Sequence, residues 1–284
     1  MRADNIAILM ATYNGERFLN DQIDSFLAQS YPDWHLYIHD DGSTDDTQQI
    51  LNGYAQAHPS KITILDYPPQ GNTYLNFMSM LQKVEAPYYM FSDQDDIWHS
   101  DKIEKTMLLM TETLESHPDV PVVIHTDLRL VKSNGDVINE SFWKAAGIYP
   151  EMIKKPEQRI TNVVTGCTML FNQLAKEAAL KYTPNGKPLH DEWVTLRTCF
   201  EHGIVIPLHE QTIDYRQHDG NVLGAEACYN KKDITYYLTS LKAIYCENHD
   251  NYLVLKSAGY NSAFRYLFNK IRNIIVYNYK YKQT

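Results

Sequence analysis

Cysteine is scarce in this chain, and its few occurrences form no metal-binding or redox pattern. The 284 residues include four cysteines, none of them in a Cys-x-x-Cys motif, and their spacings match no zinc site. Neither a disulfide framework nor a structural zinc centre is expected, because isolated cysteines of this kind are typical of reduced thiols in a cytosolic protein. The cysteines are Cys167, Cys199, Cys228 and Cys246.

Long apolar runs and an excess of positive charge are also absent. No apolar run reaches the roughly 18–20 residues that a membrane-spanning helix needs, and the apolar segment after Asp4 is too short for a signal peptide. We therefore expect a cytoplasmic protein. Lys and Arg number 26 against 35 Asp and Glu, a formal net charge of −9. Because general nucleic-acid binders present a basic face, no nucleic-acid partner is expected.

A glycine-rich dinucleotide loop is missing as well. Residues 6–12 are continuously apolar, as in a strand buried on both faces, but Tyr13, Asn14 and Gly15 follow them. Without Gly-x-Gly-x-x-Gly at this point, a dinucleotide-dependent oxidoreductase is disfavoured. The apolar share of 44% is ordinary for a packed protein and excludes a disordered chain.

The chain does contain a regular alternation of short apolar segments with segments of helical periodicity. This alternation predicts an α/β fold, with a mostly parallel sheet and helices on both faces. Later in the chain the pattern is less regular, and we predict strands at 163–170 and 211–215, a helix near His190, and helix over 230–260. No linker is evident, so the second half is expected to pack on the first. The N-terminal strands are predicted at 6–12, 34–39, 62–65, 88–92 and 120–124.

Three carboxylates follow the fourth predicted strand within four positions. Asp93, Asp95 and Asp96 would repel one another unless a cation were bound between them. Mg²⁺ and Mn²⁺ prefer oxygen ligands, and Mg²⁺ commonly uses one or two carboxylates together with substrate phosphates. The cluster therefore indicates a metal site for a nucleoside diphosphate. A solvated acidic turn that caps the next helix is the alternative.

Polar residues follow two other predicted strands. Tyr13 and Asn14 follow the first strand, and Asp40, Asp41 and Gly42 follow the second. Ligands of parallel sheets bind beyond the carboxyl ends of the strands, so we expect these segments and the aspartate cluster to meet at one site. There Asp41 would face the ligand, although the same segment could serve only to cap the following helix.

Six motifs make this pattern specific. ATYNG at 11–15, HDDGSTDDT at 39–47 and FSDQDDIW at 91–98 resemble the inverting family 2 glycosyltransferases of the GT-A fold. VTGCTM at 164–169, HDEW at 190–193 and YRQHDGNVLGA at 215–225 are similar to the bacterial rhamnosyltransferase branch, which builds cell-wall, capsular and O-antigen polysaccharides. The motifs keep their order over roughly residues 6–225.

The resemblance implies a domain organisation. A GT-A domain with a Rossmann-like sheet would occupy residues 1–225, with a nucleotide-binding half at 1–127 and an acceptor and catalytic-base half at 128–225. Residues 226–284 would form a helical C-terminal extension.

The resemblance also assigns roles to individual residues. Asp191 matches the catalytic base, although the family often has Glu-Asp where this chain has His190 and Asp191, and a plain helix-terminal charge is the alternative for Asp191. The donor nucleotide would lie near Thr12, Tyr13, Glu16, Asp41 and Asp93. The metal would lie near Asp93, Asp95, Asp96 and His218. The diphosphate, sugar or acceptor would lie near Arg216, Gly166, Cys167, His190 and Trp98, although a core position is the alternative for Trp98.

The implied activity is metal-dependent transfer of a sugar from a dTDP- or UDP-linked donor, with inversion, to a glycan or lipid-linked oligosaccharide. L-Rhamnose from dTDP-rhamnose is the expected donor sugar, and Mg²⁺ or Mn²⁺ the expected cofactor. A UDP-hexose or UDP-N-acetylhexosamine transferase of the same fold is one alternative. A non-catalytic nucleotide-sugar or glycan-binding module is another, although such a module would not need both the metal cluster and Asp191.

The C-terminal residues differ from the rest in charge. No acidic residue follows Asp250, whereas six basic residues do. Phe264 and Phe268 belong to an apolar stripe flanked by Arg265 and Arg272, a pattern typical of a helix at an anionic membrane surface. Residues 261–284 are thus expected to contact the inner face of the cytoplasmic membrane. The alternative is a helix that packs on the body of the protein or on the second subunit of a homodimer.

Overall fold

A computed structural model describes residues 6–148, 150–152, 163–186, 188–218, 251–260, 262–266, 268–269 and 272. Nine strands lie within these residues. They are β1 (Ile6–Thr12), β2 (Trp34–Asp40), β3 (Ile62–Ile64), β4 (Tyr88–Ser92), β5 (Ile97–Trp98), β6 (Val122–Lys132), β7 (Val137–Asn139), β8 (Leu170–Asn172) and β9 (Ile204–Gln217). All nine belong to one sheet in the order β3-β2-β1-β4-β8-β6-β9-β5, with β7 paired to β6.

Six of these nine strands run in the same direction. β1 is parallel to β2 and β4, β2 is parallel to β3, and β6 is parallel to β9. β8 is antiparallel to both β4 and β6, and β5 and β7 are antiparallel to their partners. The expectation of a mostly parallel α/β sheet is confirmed, and β1 lies near its centre because its apolar run can be buried on both faces.

Helices cover both faces of this sheet. Alternate residues of β1 point to opposite sides. The helices are α1 (Leu19–Leu27), α2 (Thr47–Ala57), α3 (Thr73–Lys83), α4 (Lys102–Ser116), α5 (Phe142–Ala146), α6 (Gln173–Leu180) and α7 (His190–Phe200). Ile8 packs in one apolar cluster with residues of α1 and α4, and Leu9 packs in the other with residues of α3, α6 and α7.

The first four predicted strands agree closely with the structure, whereas the prediction for 163–170 is wrong. Gly166–Thr168 forms a 3₁₀ turn, and strand β8 begins only at Leu170. The turn is closed because both the amide and the hydroxyl of Thr168 donate to the Thr165 carbonyl, at 2.9 and 2.7 Å. Apolar character alone therefore suggested a strand where a local hydrogen-bonded turn forms.

The C-terminal segment is described only in part. Residues 251–258 are helical, as predicted, whereas the helix has ended at residues 259–260. Residues 230–250 of the predicted helix 230–260, together with the expected domain boundary at 225, lie outside the described residues. Arg197 of α7 attaches this helix to the body, because its guanidinium donates to the Ala258 carbonyl at 2.5 Å. Among the described residues, no helix combines the length and apolar character needed to cross a membrane.

Candidate active site

The loops after β1, β2 and β4 meet at the carboxyl edge of the sheet, where they border a cleft of about 610 Å³. Residues of the Gly166–Thr168 turn and of the first turn of α7 also line the cleft. Segments that are distant in sequence therefore converge as the strand–helix alternation predicts. The predicted site residues that line the cleft are Thr12, Tyr13, Asp41, Asp93, Asp95, Gly166, His190 and Asp191.

Hydrogen bonds between the β1 and β2 loops shape one wall of the cleft. Thr12 is buried, and its hydroxyl donates to Asp40 at 2.9 Å. Asp41, which does line the cleft, accepts from the backbone amides of Gln70 at 2.5 Å and Gly71 at 3.1 Å. Asp41 therefore both faces the cleft and fixes the adjacent loop. Gly42 makes this turn possible through its positive φ of 91°.

Glu16 lies outside the residues that line the cleft. Its side chain is exposed and its carboxylate accepts from the Asp46 amide at 2.9 Å, directly before α2. Glu16 thus satisfies an amide at the start of that helix, where a negative charge is favourable.

Asp93 and Asp95 present carboxylates to the cleft, whereas Asp96 lies beneath them. Burial, followed by the charges of Asp95 and Asp191, raises the pKa of Asp93 to about 7. Asp96 is fully buried, and its carboxylate accepts from the Arg216 amide at 3.2 Å. Burial, followed by its two aspartate neighbours, raises the pKa of Asp96 well above the ordinary range. The cluster therefore concentrates negative charge that a cation would stabilise.

The carboxylates fit a hard divalent cation better than a soft one. One oxygen each from Asp93 and Asp96 and the sulfur of Cys167 lie within 4.8 Å of one another. Burial, followed by the charges of Asp96 and Asp93, raises the pKa of the Cys167 thiol well above its ordinary value, so Cys167 is a neutral thiol here. Oxygen ligands that also face the cleft are supplied by Asp93 and Asp95, the arrangement that suits Mg²⁺ or Mn²⁺.

His218 and Arg216 lie at the end of β9, beside this cluster. The His218 ring nitrogen Nε2 is 2.8 Å from an Asp95 carboxylate oxygen, which places the imidazole next to a predicted metal ligand. Arg216 is buried, and its guanidinium donates to Asp21 at 2.9 Å. Both side chains also contact the Phe18 ring, at 4.6 Å each. Neither lines the cleft directly.

Asp191 lies in the first turn of α7 and also lines the cleft. Burial raises its pKa to about 7, although hydrogen bonds from the Glu192 and Gly166 amides partly oppose this rise. Glu192 accepts from the Leu189 amide at 3.4 Å and so helps to cap the helix. A carboxylate with a pKa near 7 that borders the cleft has the properties of a general base.

His190 and Gly166 are fitted to each other. The His190 ring stacks on Phe77 at 4.0 Å and meets Phe91 edge-on at 4.8 Å. Burial lowers its pKa to about 3, so the imidazole is neutral. A β-carbon on Gly166 would lie 2.5 Å from His190 Nε2, so a larger residue would displace the ring. The glycine thus allows close packing between the turn and α7.

The sequence of this site matches a known family. Residues 7–178 match the family model described as Glycosyl transferase family 2. The chain belongs to glycosyl transferase family 2. Because the match covers more than half of the chain, the expected family is confirmed, and the protein is a glycosyltransferase.

Relatives of this glycosyltransferase act in bacteria. The dTDP-rhamnosyl transferase RfbG of Shigella flexneri is 27% identical over an alignment of 237 residues, and the match covers 78% of this chain and 76% of that protein. The putative teichuronic acid biosynthesis glycosyltransferase TuaG of Bacillus subtilis (strain 168) is 31% identical over 107 residues, 38% of this chain and 42% of that protein. This second match spans less than half the length of the relative.

Solved structures with the same fold support the GT-A architecture. The mannosyltransferase PcManGT from Pyrobaculum calidifontis, in complex with GDP-Man and Mn²⁺, has a TM-score of 0.59 at 14% identity, covering 97% of this chain and 81% of that one. S. aureus TarS 1-349 has a TM-score of 0.57 at 14% identity, covering 98% and 91%. At this identity the likeness shows the fold alone.

Trp98 is not part of the cleft of this glycosyltransferase. It is 2% exposed and packs edge-on against Phe26 of α1 at 4.7 Å. The expected contact with sugar or acceptor is therefore corrected to a core position. β5 carries Trp98 into the interior between α1 and β9, because Ile97 and Trp98 pair with β9 residues.

Other cleft residues were not predicted from the sequence. Asn72 caps α3 by accepting from the Leu75 amide at 2.9 Å, and an asparagine before a helical pattern is a recognisable cap signal. Phe77 has the spacing of a core helix residue, and Gln94, between two aspartates, carries no sequence signal of its own. The lining residues without an earlier role include Asn72, Thr73, Asn76, Phe77, Gln94 and Tyr215.

Proposed function

We propose that this glycosyltransferase moves a sugar, with inversion, from a nucleoside diphosphate to an acceptor hydroxyl. The carrying observation is that Asp93, Asp95 and Asp191 line the same cleft, the first two from the loop after β4 and the third from the first turn of α7. The first pair can hold a divalent cation with the donor diphosphate, and the third carboxylate can receive a proton. A binding module without catalysis would need no such separation of roles.

Mg²⁺ or Mn²⁺, held by Asp93 and Asp95 with His218 and Asp96 adjacent, would neutralise charge on the departing diphosphate. This chain's own side chains supply the remaining steps. Asp191 accepts the proton of the acceptor hydroxyl as that oxygen attacks the anomeric carbon. Attack from the face opposite the diphosphate inverts the anomeric centre, and a single carboxylate base is enough. His190, neutral and packed against Phe77, fixes the first turn of α7, which carries Asp191.

For the donor we propose dTDP-L-rhamnose. The motifs at 164–169, 190–193 and 215–225 and the match to a dTDP-rhamnosyl transferase support this choice. A UDP-linked hexose or N-acetylhexosamine is the competing donor. A structure of S. aureus TarS 1-349 in complex with UDP-GlcNAc shares the fold, with a TM-score of 0.53 and coverage of 84% of this chain and 65% of that one.

A donor panel tests this proposal. The chain is incubated with dTDP-rhamnose, UDP-glucose, UDP-galactose and UDP-N-acetylglucosamine, with Mn²⁺ or with chelator, and release of nucleoside diphosphate is measured. We expect Mn²⁺-dependent release that is fastest with dTDP-rhamnose. Faster release with a UDP donor would replace the proposed sugar. Binding of nucleotide sugars without any turnover, even with an acceptor mixture, would favour the non-catalytic module.

We further propose a lipid-linked oligosaccharide acceptor, reached at the inner membrane face. Phe264 and Phe268 are 83% and 59% exposed, and the nearby Arg265 and Arg272 are exposed too. Another face of this segment packs on the body, since the buried Tyr266 belongs to the apolar cluster that contains residues of α3, α6 and α7. The buried Asn269 also donates to the Tyr260 hydroxyl at 2.8 Å. Packing on the body therefore leaves the phenylalanines uncovered in the described residues. Residues 267, 270–271 and 273–284 lie outside that description.

Vesicle flotation tests the membrane contact. Phe264→Ser combined with Phe268→Ser is expected to lower the fraction that floats with phosphatidylglycerol vesicles several-fold, because both rings and the nearby arginines suit an anionic interface. Leu108→Ser, on the exposed face of α4 at 62% exposure, is the matched control and should float like the parent chain. Equal flotation of parent and double variant would end the membrane proposal. A shift from dimer to monomer in sedimentation would then favour a subunit contact.

A further inference from the structure

We propose that Gln94 is a positioning residue that holds the loop after β1 and the aspartate loop after β4 in one fixed arrangement. This inference rests on the proposed function, because it concerns the donor and metal side of the same cleft. Gln94 lies between Asp93 and Asp95, and its side chain, unlike theirs, is directed to the backbone of another loop.

Gln94 makes a two-point hydrogen bond with a single residue. Its Oε1 accepts from the Tyr13 amide at 2.8 Å, and its Nε2 donates to the Tyr13 carbonyl at 2.9 Å. A carboxamide can do this because it carries a donor and an acceptor side by side, whereas a carboxylate has no donor. The side chain thereby satisfies both polar groups of the Tyr13 backbone.

This contact continues a strand pairing that has ended. β1 and β4 are adjacent parallel strands, and their last paired residues are Met10 and Ser92. Beyond that point the two strands continue into separate loops that border the cleft. The Gln94 side chain joins them again three residues later, at Tyr13. A pair of hydrogen bonds across 81 positions of sequence therefore sets the spacing of the two loops.

Gly15 is shaped to admit Gln94. A β-carbon built on Gly15 would lie 2.3 Å from Gln94 Oε1 and 2.5 Å from its Cδ, and the three nearest atoms all belong to Gln94. Gly15 cannot simply move aside, because its amide donates to the Thr47 hydroxyl at 2.8 Å. The Gln94 carboxamide can therefore occupy this position only because residue 15 has no side chain.

The contact bears on donor binding because of what flanks it. Asp93 and Asp95, the two residues next to Gln94, both line the cleft. Anchoring the intervening residue to Tyr13 fixes the backbone from which these two carboxylates extend. Tyr13, whose backbone Gln94 holds, lines the same cleft. Loss of the contact should therefore weaken nucleotide and metal binding, whereas Asp191 keeps its own hydrogen bonds from the Glu192 and Gly166 amides.

A double-mutant cycle with Gly15→Ala and Gln94→Ala tests this inference. Affinity for dTDP and UDP is measured by calorimetry with and without Mn²⁺, and donor KM and kcat are measured where turnover is found. Each single variant is expected to weaken nucleotide binding about tenfold, the scale of losing two neutral hydrogen bonds. The double variant should be no weaker than Gln94→Ala, because the methyl group then meets no carboxamide. We expect KM to rise and kcat to change little.

Gly53→Ala is the matched glycine control, because a β-carbon there meets nothing within 4 Å, and its nucleotide affinity should equal that of the parent. If the two substitutions lowered nucleotide affinity independently, so that the double variant bound about a hundredfold more weakly than the parent, the inference would be overturned. Unchanged nucleotide affinity in Gln94→Ala would also overturn it. Failure of the proposed function has a different signature, namely that the parent chain itself binds no nucleoside diphosphate. In that event the thermal unfolding midpoint of each variant in the same cycle is measured instead. Additive shifts of the midpoint in the double variant would contradict the proposed contact between Gly15 and Gln94.

Discussion

Asp191→Asn is expected to lower the rate of sugar transfer by at least about 10²-fold while donor affinity changes little. The amide cannot take up the proton of the acceptor hydroxyl, and general-base catalysis typically contributes about 10²–10⁴ in rate. Donor affinity should survive because the proposed role of Asp191 concerns the acceptor hydroxyl, whereas Asp93 and Asp95 are the residues proposed to hold the cation and the donor diphosphate. The measurement is kcat for transfer, together with the dissociation constant of the donor.

Glu192→Gln is the matched control for this variant. It makes the same atomic change at the next residue, and its amide oxygen can still accept from the Leu189 amide that Glu192 satisfies. Transfer by Glu192→Gln should persist close to the parental rate, with its pH dependence moved towards lower pH, because the charge of Glu192 contributes to the raised pKa of Asp191. If Asp191→Asn transferred sugar at the parental rate, the base would have to be a different group, and Asp191 would be a helix-terminal charge only.

Asp95→Asn is expected to abolish turnover and to remove the gain in donor affinity that Mn²⁺ gives the parent chain. Under the proposed function, the substitution replaces a charged oxygen ligand of the cation with a neutral amide. Stabilisation of the leaving group by a bound cation is worth several kcal/mol, so its loss outweighs the effect of most single substitutions. Calorimetric titration of donor with and without Mn²⁺ measures the effect on binding, and nucleotide release measures the effect on turnover.

Asp136→Asn controls for the loss of one negative charge. Asp136 lies in the exposed turn between β6 and β7, far in the chain from the aspartate loop. Mn²⁺ should increase the donor affinity of Asp136→Asn as much as it does that of the parent chain. Retention of the Mn²⁺-dependent gain in Asp95→Asn would show that the ion is held elsewhere or is not used.

Much of the cleft could be anticipated because strand ends are readable from sequence. The continuous apolar run at 6–12 and the short run at 88–92 mark buried strands, and polar residues directly after them mark the sheet edge. The position of Asp191 required more, since nothing local distinguishes it from a helix-terminal charge. The ordered resemblance over residues 6–225 indicated it, and the structure places it on the cleft wall.

The features that escaped prediction depend on contacts between distant segments. The 3₁₀ turn at Gly166–Thr168 was predicted as strand, because periodicity does not reveal that Gly166 packs against His190. Trp98 is a core residue because β5 pairs with β9, more than a hundred positions away. Gln94 had no signal of its own, since its two hydrogen bonds to Tyr13 are set by the tertiary arrangement of two loops.

The central claim is that the aspartate loop holds a cation against the diphosphate of an activated sugar. The most direct measurement is a crystal structure of the chain with Mn²⁺ and dTDP-rhamnose, or a non-hydrolysable analogue, with data collected at the manganese absorption edge. We predict an anomalous peak in contact with Asp95 and with diphosphate oxygens. We also predict that the anomeric carbon of the bound donor faces Asp191. A nucleotide bound elsewhere, or bound here with no manganese peak near Asp93 and Asp95, would contradict the account.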